Sequence, residues 1–187
     1  MSAKPTDKGH AVFETALGWI GIAWSARGIT RLQLPERDRD ATRARLLSRG
    51  APAEPGEPPA PVQAAIDALT RYAAGERVDF AGVAVDLGEA DDLRQALYAR
   101  MRLLGYGETV TYGGLAEAVG RPGMAREVGE AMGRNPVPII VPCHRVVAAG
   151  GRMGGFSAPG GVFTKRRLLD LERARPPSPP GQGAFAF

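Results

Sequence analysis

Apolar and polar positions along the first half of the chain follow a strand pattern before they follow a helix pattern. Residues 11–15, 19–24 and 29–34 each read as a strand, and Ile29-Thr30-Arg31-Leu32-Gln33-Leu34 alternates with period two. Gly18 and Ala26-Arg27-Gly28 supply the turns between them, which predicts a three-stranded meander. Asp40 is placed to cap a short helix running to about Arg49. The Pro- and Gly-rich stretch 50–61 is a loop by composition. Pro61 then opens a helix whose apolar face carries Val62, Ala65, Ile66, Leu69 and Tyr72, with Gly75 at its end. Val83, Val85 and Leu87 alternate and predict a last strand.

Around Gly88 the period changes from two to 3.6, so a boundary is placed there: residues 1–88 form one domain, 89–175 a second, and 176–187 a tail whose Pro and Gly content is that of disordered chain. The expected class is α/β in the mixed, α+β sense. In the second domain Asp91 or Asp92 caps a helix reaching about Leu104, with Leu93, Ala96, Leu97, Met101 and Leu104 on one side. After the break at Gly105-Tyr106-Gly107, Thr111 caps a helix from Tyr112 to Val119, Gly120-Arg121-Pro122-Gly123 turns, and a second helix runs from Met124 to Gly133. Two short helices across a glycine-containing turn fit a helix–turn–helix, and equally a plain helical hairpin in a core. Ile139-Ile140-Val141 reads as a short buried strand stiffened by Pro136, Pro138 and Pro142. A glycine-rich loop, 148–161, and a closing helix from Val162 to about Arg173 follow.

The second short helix, Ala125-Arg126-Glu127-Val128-Gly129-Glu130-Ala131-Met132-Gly133, carries two glycines, each of which costs about 1 kcal/mol relative to alanine inside a helix. Small residues there mean either close packing on a neighbouring helix or a surface that enters a narrow space such as a minor groove, about 6 Å wide. Arg126 is the one long cation on this helix. Glu127 and Glu130 would be repelled by phosphates and are expected to point away from them.

Charge adds a modest bias. Residues 1–89 hold 11 Lys and Arg against 12 Asp and Glu, whereas residues 90–175 hold 13 against 8, so the positive excess lies in the second half. A single cysteine, Cys143, excludes an internal disulfide and fits a reducing compartment. The N-terminus lacks the apolar core of a signal peptide, and no run approaches the roughly 20 apolar residues of a membrane span. A cytoplasmic location is the expectation. His10 reads as a surface residue, and no second ligand stands near it, so no metal site is expected.

Candidate chemistry gathers at Asn135-Pro136-Val137-Pro138-Ile139-Ile140-Val141-Pro142-Cys143-His144-Arg145-Val146-Val147. A lone cysteine is commonly an inert small hydrophobe. Here His144 and Arg145 follow it directly, and cationic neighbours lower a thiol's pKa from about 8.5. On an extended chain adjacent side chains point to opposite sides, so His144 would assist Cys143 through a turn or a bridging water.

Pro142-Cys143-His144-Arg145-Val146, preceded by Asn135-Pro136, resembles the active-site signature of the O6-alkylguanine-DNA alkyltransferases, also called methylated-DNA–protein-cysteine methyltransferases. The likeness runs from about Leu93 to Glu172 in order and spacing. The first half resembles, more loosely, the family's ribonuclease-H-like domain, and the second its winged helix–turn–helix-like domain. By resemblance Cys143 is the alkyl acceptor, with His144 and Glu172 in a water-linked relay. Tyr112 assists nucleotide rotation and gives a proton to the leaving base. Arg126 fills the gap in the duplex, and Ala125 and Gly129 lie on the surface that meets the minor groove. Asn135 ties the helix–turn–helix to the reactive segment. Pro138, Val146, Phe156, Ser157 and Met132 surround the extruded base, read by the Cys143 and Val146 carbonyls and the Ser157 N–H. The implied partner is double-stranded DNA with an alkylated guanine, acted on by a monomer once per molecule and without a cofactor, with O4-alkylthymine as a second substrate.

Phe156 stands where many relatives have tyrosine, Ala158-Pro159 lengthens the loop relative to some members, and Glu127 and Glu130 replace small residues. Some relatives hold zinc in the first domain; the cysteines such a site uses are absent here. Two other readings stay open: a sensor of alkylated bases that transfers nothing, against which Cys143 argues, and an unrelated thiol hydrolase built on Cys143 and His144.

Overall fold

A computed structural model describes residues 6–174. It divides into two compact units, the first ending at Glu89 and the second beginning at Ala90. The tail expected over 176–187 lies outside the described residues.

In the first unit β1 (Gly9–Thr15), β2 (Gly18–Ser25) and β3 (Gly28–Gln33) form an antiparallel meander in the order β1-β2-β3. Its register pairs His10 with Ala23 and Ile22 with Leu32, and slips by one residue between Ala23 and Trp24. Gly28 has a positive φ, and a Cβ there would stand 2.6 Å from the Ala84 carbonyl oxygen, so this turn admits only glycine. Two helices complete the unit: α1 (Arg39–Ser48) and α2 (Ala60–Ala73). Ile20, Ile22, Trp24, Leu46, Leu69 and Tyr72 make its core, and the predicted face of α2 is buried in full.

Three expectations for this unit are corrected. The N-cap of α1 is Asp38, whose carboxylate accepts the Ala41 N–H at 2.7 Å, and Asp40 lies in the first turn. Residues 83–87 form no strand: pairing with the edge strand β3 is confined to one bridge, Val85 to Ile29, in which the Ile29 N–H donates to the Ala84 carbonyl at 2.9 Å and the Asp86 N–H to the Ile29 carbonyl at 2.8 Å. His10 is buried: its Nδ1 lies 2.8 Å from the Pro52 carbonyl oxygen and 3.1 Å from that of Glu54, while Arg43 Nε donates to its Nε2 at 3.2 Å. It pins the loop before α2 onto β1.

The second unit opens with α3 (Asp92–Met101), capped by the Asp91 carboxylate on the Arg94 N–H. Leu97, Met101 and Leu104 are buried as predicted, but Ala96 is exposed and Tyr98 takes the inner face, its hydroxyl donating 2.7 Å to the Ala131 carbonyl. After β4 (Val110–Thr111) come α4 (Tyr112–Ala118), capped by Thr111 Oγ1 on the Gly114 N–H, and α5 (Ala125–Gly133). A single turn of 3₁₀ helix spans Cys143–Arg145, and β5 (Val146–Val147) pairs parallel with β4, Val110 opposite Val146. That short ladder sets the start of α4, and hence Tyr112, beside the segment carrying Cys143. The unit closes with α6 (Gly161–Leu171), with Glu172 as its C-cap. Among the described residues no helix is long and apolar enough to cross a membrane.

Candidate active site

Residues 139–141 are not a strand. Pro138–Ile140 form a tight turn in which the Val141 N–H donates 2.9 Å to the Val137 carbonyl. Asn135 clamps both ends: its Oδ1 accepts the Val137 N–H at 3.0 Å, and its Nδ2 donates 2.7 Å to the Val141 carbonyl. Ile139 sits at φ 73°, a left-handed conformation that costs a β-branched residue on the order of 1–3 kcal/mol. The amide clamp and burial on all sides hold it there. Apolar β-branched residues made the run look like a strand; the side chain of Asn135 supplies hydrogen bonds that a ladder would otherwise give.

This turn delivers Cys143 to the floor of a cavity of about 470 Å³ lined by Tyr112, Ala125, Gly129, Met132, Gly133, Gly155, Phe156 and Ser157. Cys143 is buried, 6 % exposed as a residue, and belongs to the cavity's lining. Ala125, Gly129, Met132 and Gly133 fall on one face of α5 and form a wall. A Cβ at Gly133 would meet nothing within 4 Å, and one at Gly129 only the Tyr112 ring, at 3.9 Å. Packing inside the chain therefore does not require these glycines; they leave the cavity mouth open. The opposite wall is the glycine loop, tied to α5 by the Ser157 hydroxyl, which donates to the Gly133 carbonyl at 3.3 Å.

Behind Cys143 lies a buried polar network. Glu172 receives Arg145 Nε on one carboxylate oxygen and Arg145 Nη2 on the other, each at 2.9 Å. His144 Nε2 lies 2.8 Å from Oε1, and the Gly107 N–H donates 3.1 Å to Oε2. Arg145 Nη1 also donates to the Leu104 carbonyl at 2.6 Å. Burial alone would raise the Glu172 carboxyl, but the hydrogen bonds from His144 and Arg145 and the Arg145 charge hold it well below the usual carboxylate range. An ionised carboxylate only accepts, so the proton between it and His144 belongs to His144 Nε2. Burial, reinforced by Arg145, pushes the imidazole's pKa down and keeps it neutral against the pull of Glu172. The other ring nitrogen, Nδ1, then carries a lone pair, and it is buried without a hydrogen-bond partner. No direct hydrogen bond joins it to the Cys143 sulfur.

The expectation that His144 and Arg145 lower the thiol's pKa is corrected. Burial pushes the Cys143 thiol up, with an Asn135 hydrogen bond and the charge of Lys165 acting in the opposite direction. Arg145 is spent on Glu172, 27 residues away, and His144 is uncharged. The thiol thus keeps its proton at rest and needs a base when it reacts.

Tyr112, the first residue of α4, lines the cavity and donates its hydroxyl to the Gly155 carbonyl at 3.3 Å. Burial and the nearby Cys143 raise its pKa, so the phenol holds its proton. Of the residues expected around a base, Met132, Phe156 and Ser157 line the cavity, with Ala125 and Gly129. Pro138, Val146 and Asn135 are buried outside its lining, and the Val146 carbonyl accepts Lys165 Nζ at 2.6 Å. Arg126 is exposed on the outer side of α5, paired with Glu130 at 3.5 Å. Lys165 was missed. Its signal was its spacing: it shares a helical face with Leu168, Leu169 and Glu172, all buried.

Residues 92–174 match the family model described as 6-O-methylguanine DNA methyltransferase, DNA binding domain. With the helix–turn–helix, this defines the class as a DNA-binding domain, and here its pocket is lined by the chain's single cysteine. The methylated-DNA–protein-cysteine methyltransferase of Mycobacterium tuberculosis is 36 % identical over 169 residues, covering 90 % of this chain and 94 % of that one. The mouse protein of the same name is 33 % identical over 181 residues, covering 93 % of this chain and 85 % of its own length. The crystal structure of Mycobacterium tuberculosis OGT in complex with DNA superposes with a TM-score of 0.69 at 34 % identity, over 88 % of this chain and 92 % of that one. The chain belongs to the methylated-DNA–protein-cysteine methyltransferase family, and the mixed α/β class and the resemblance read from its signature both hold.

Proposed function

We propose that the protein repairs duplex DNA by moving the alkyl group of O6-alkylguanine onto Cys143, once per molecule. The observation that carries this reading is the unpartnered, buried Nδ1 of a neutral His144, fixed by Glu172 and next in sequence to the only cysteine, which lines an open cavity. A water seated between Nδ1 and the sulfur relays the thiol proton to His144, and the positive charge that forms is stabilised by Glu172. The thiolate attacks the alkyl carbon. A sulfur–carbon bond forms, the carbon–O6 bond breaks, and its electron pair leaves with guanine. Tyr112 gives the departing guanine a proton, and the proton held at His144 returns through solvent to restore the phenol. The thioether product has no route back to a thiol within this site, so turnover stops.

O6 is hidden in a stacked base pair, so the nucleotide must be rotated out, at a cost of a few kcal/mol. The cavity volume lies within the roughly 300–1,000 Å³ of small-molecule sites, and Phe156 offers a ring for stacking. Ala125, Gly129 and Gly133 keep the wall facing the duplex low, and Arg126 projects from the same helix to occupy the space the base leaves. O4-alkylthymine presents a similar alkyl–oxygen bond and is a second substrate. The protein acts as a monomer in the cytoplasm. The second unit, which begins at Ala90, contains this machinery.

The test is intact-mass analysis after mixing with duplex containing O6-methylguanine. The expected result is the gain of one methyl group, mapped to Cys143 and absent from Cys143→Ser. An unlabelled protein would favour the sensor reading, and repeated turnover without label the thiol hydrolase.

A further inference from the structure

Lys165 is fully buried, and a buried ammonium without a partner anion is uncommon, because leaving water costs several kcal/mol. Its Nζ donates 2.6 Å to the Val146 carbonyl and 3.2 Å to the Gly155 carbonyl. Both acceptors are neutral, and among the described residues no carboxylate lies within ion-pair distance of it. Both also border the reacting centre: Val146 follows the Cys143–Arg145 turn, and Gly155 lines the cavity with Cys143. The ammonium lies 5.6 Å from the centroid of the Tyr112 ring, and the Tyr112 hydroxyl shares the Gly155 carbonyl with it.

We infer that Lys165 is the counter-charge for the Cys143 thiolate, a buried cation held in place by two carbonyls so that an anion can form at the pocket floor. The inference rests on Cys143 being the alkyl acceptor, and it divides the labour of activation. His144 takes the proton, while Lys165 offsets the charge left on sulfur. The other basic neighbours are turned to Glu172: His144 is neutral until it takes the proton and its charge then faces that carboxylate at 2.8 Å, and Arg145 is already matched by it. Tyr98 and Tyr112, the remaining titratable groups that feel Cys143, are phenols held protonated by burial, Tyr98 with its pKa pushed up to about 12. Burial pulls the Lys165 ammonium down and the Cys143 thiolate pulls it part of the way back, to about 8 in all, while Lys165 in turn favours the thiolate. Such a pair titrates as a unit.

A purely structural pin would serve equally well with any donor to the two carbonyls. Lys165→Gln keeps a donor without charge, and Lys165→Arg keeps the charge. The assay is the rate of Cys143 alkylation by iodoacetamide, a neutral reagent, against pH. The sole cysteine makes the mass readout unambiguous. Opposite charges at close range move a pKa by about 1–3 pH units. Lys165→Gln should therefore react at least about tenfold more slowly at pH 7, with its profile displaced to higher pH and its limiting alkaline rate unchanged; Lys165→Arg should keep the parental midpoint. Coincident midpoints for the two variants, or a loss confined to the limiting rate, would overturn the inference.

A second measurement needs no substitution at position 165. By linkage the thiolate must hold the Lys165 proton as strongly as Lys165 holds the thiolate. In 15N-lysine spectra of the full chain, part of the Lys165 signal should stay protonated to higher pH before Cys143 is methylated than after. Superimposable titrations would reject the coupling. Failure of Cys143 to gain a methyl from methylated duplex would instead sink the reading of function, so the two failures are separable.

Discussion

Replacing Glu172 with glutamine removes one charge from a network in which every carboxylate lone pair is in use. The side chain is fully buried and accepts from His144, from Arg145 twice and from the Gly107 N–H. Without the carboxylate, the Arg145 guanidinium is left in the interior with no anion, and breaking a buried pair from one side costs about 3–5 kcal/mol. For a unit of this size each kcal/mol corresponds to about 4–8 °C, so the melting transition of the second unit should fall by roughly 12 °C or more. The pH dependence changes too. The carboxyl is depressed in the folded protein, so its contribution is complete above its ordinary value of 4.5 and is lost as pH falls from there through the lower folded value. The parent should lose stability in that acid range, and Glu172→Gln should lack this part of the acid dependence. Removing both charges in Arg145→Met/Glu172→Gln should recover most of the loss, because no uncompensated ion remains. Guanidinium chloride titrations and thermal melts of the four proteins complete the cycle. A loss below about 1 kcal/mol for Glu172→Gln, or a double variant no better than the single, would refute the view of this network as a matched buried charge pair.

Tyr98→Phe removes the buried hydroxyl on the Ala131 carbonyl and should cost about 1–3 kcal/mol in denaturant titrations while leaving the transferred methyl on Cys143 intact. Gly154→Ala puts a Cβ 2.8 Å from the Tyr112 ring at a residue with φ 68°, so single-turnover repair should slow by at least about tenfold, a displacement of about 1 Å near the reacting atoms being sufficient for that. Glu130→Ala frees Arg126 from an exposed pair; stability should change by no more than about 0.5 kcal/mol, while duplex binding tightens and steepens with falling salt, as read by fluorescence anisotropy.

The sheet and helices were legible because their patterns are in plain view: the apolar run of β2 between Gly18 and Ser25, the glycine turns on either side of it, and the spacing of Val62, Ile66, Leu69 and Tyr72 in α2. The caps at Asp91 and Thr111 followed from residue type and place. Four features resisted for one physical reason, namely that the deciding partner lies far along the chain or in a side chain. Residues 139–141 have strand composition, but Asn135 supplies the hydrogen bonds that fold them into a turn. His144 and Arg145 adjoin Cys143 in sequence, yet Glu172 claims both. Lys165 precedes Arg166 and Arg167 in what reads as a solvated basic run, while its helical phase turns it inward. His10 was misplaced similarly, its partners being carbonyls of the loop at Pro52 and Glu54.

Stoichiometry puts the central claim under the most direct strain. Fixed protein titrated with a rising excess of O6-methylguanine duplex should restore guanine until repaired lesions equal protein molecules, and then stop. Repair that continues past that equivalence, or that proceeds with Cys143→Ser, would contradict a sulfur that accepts the alkyl group and keeps it.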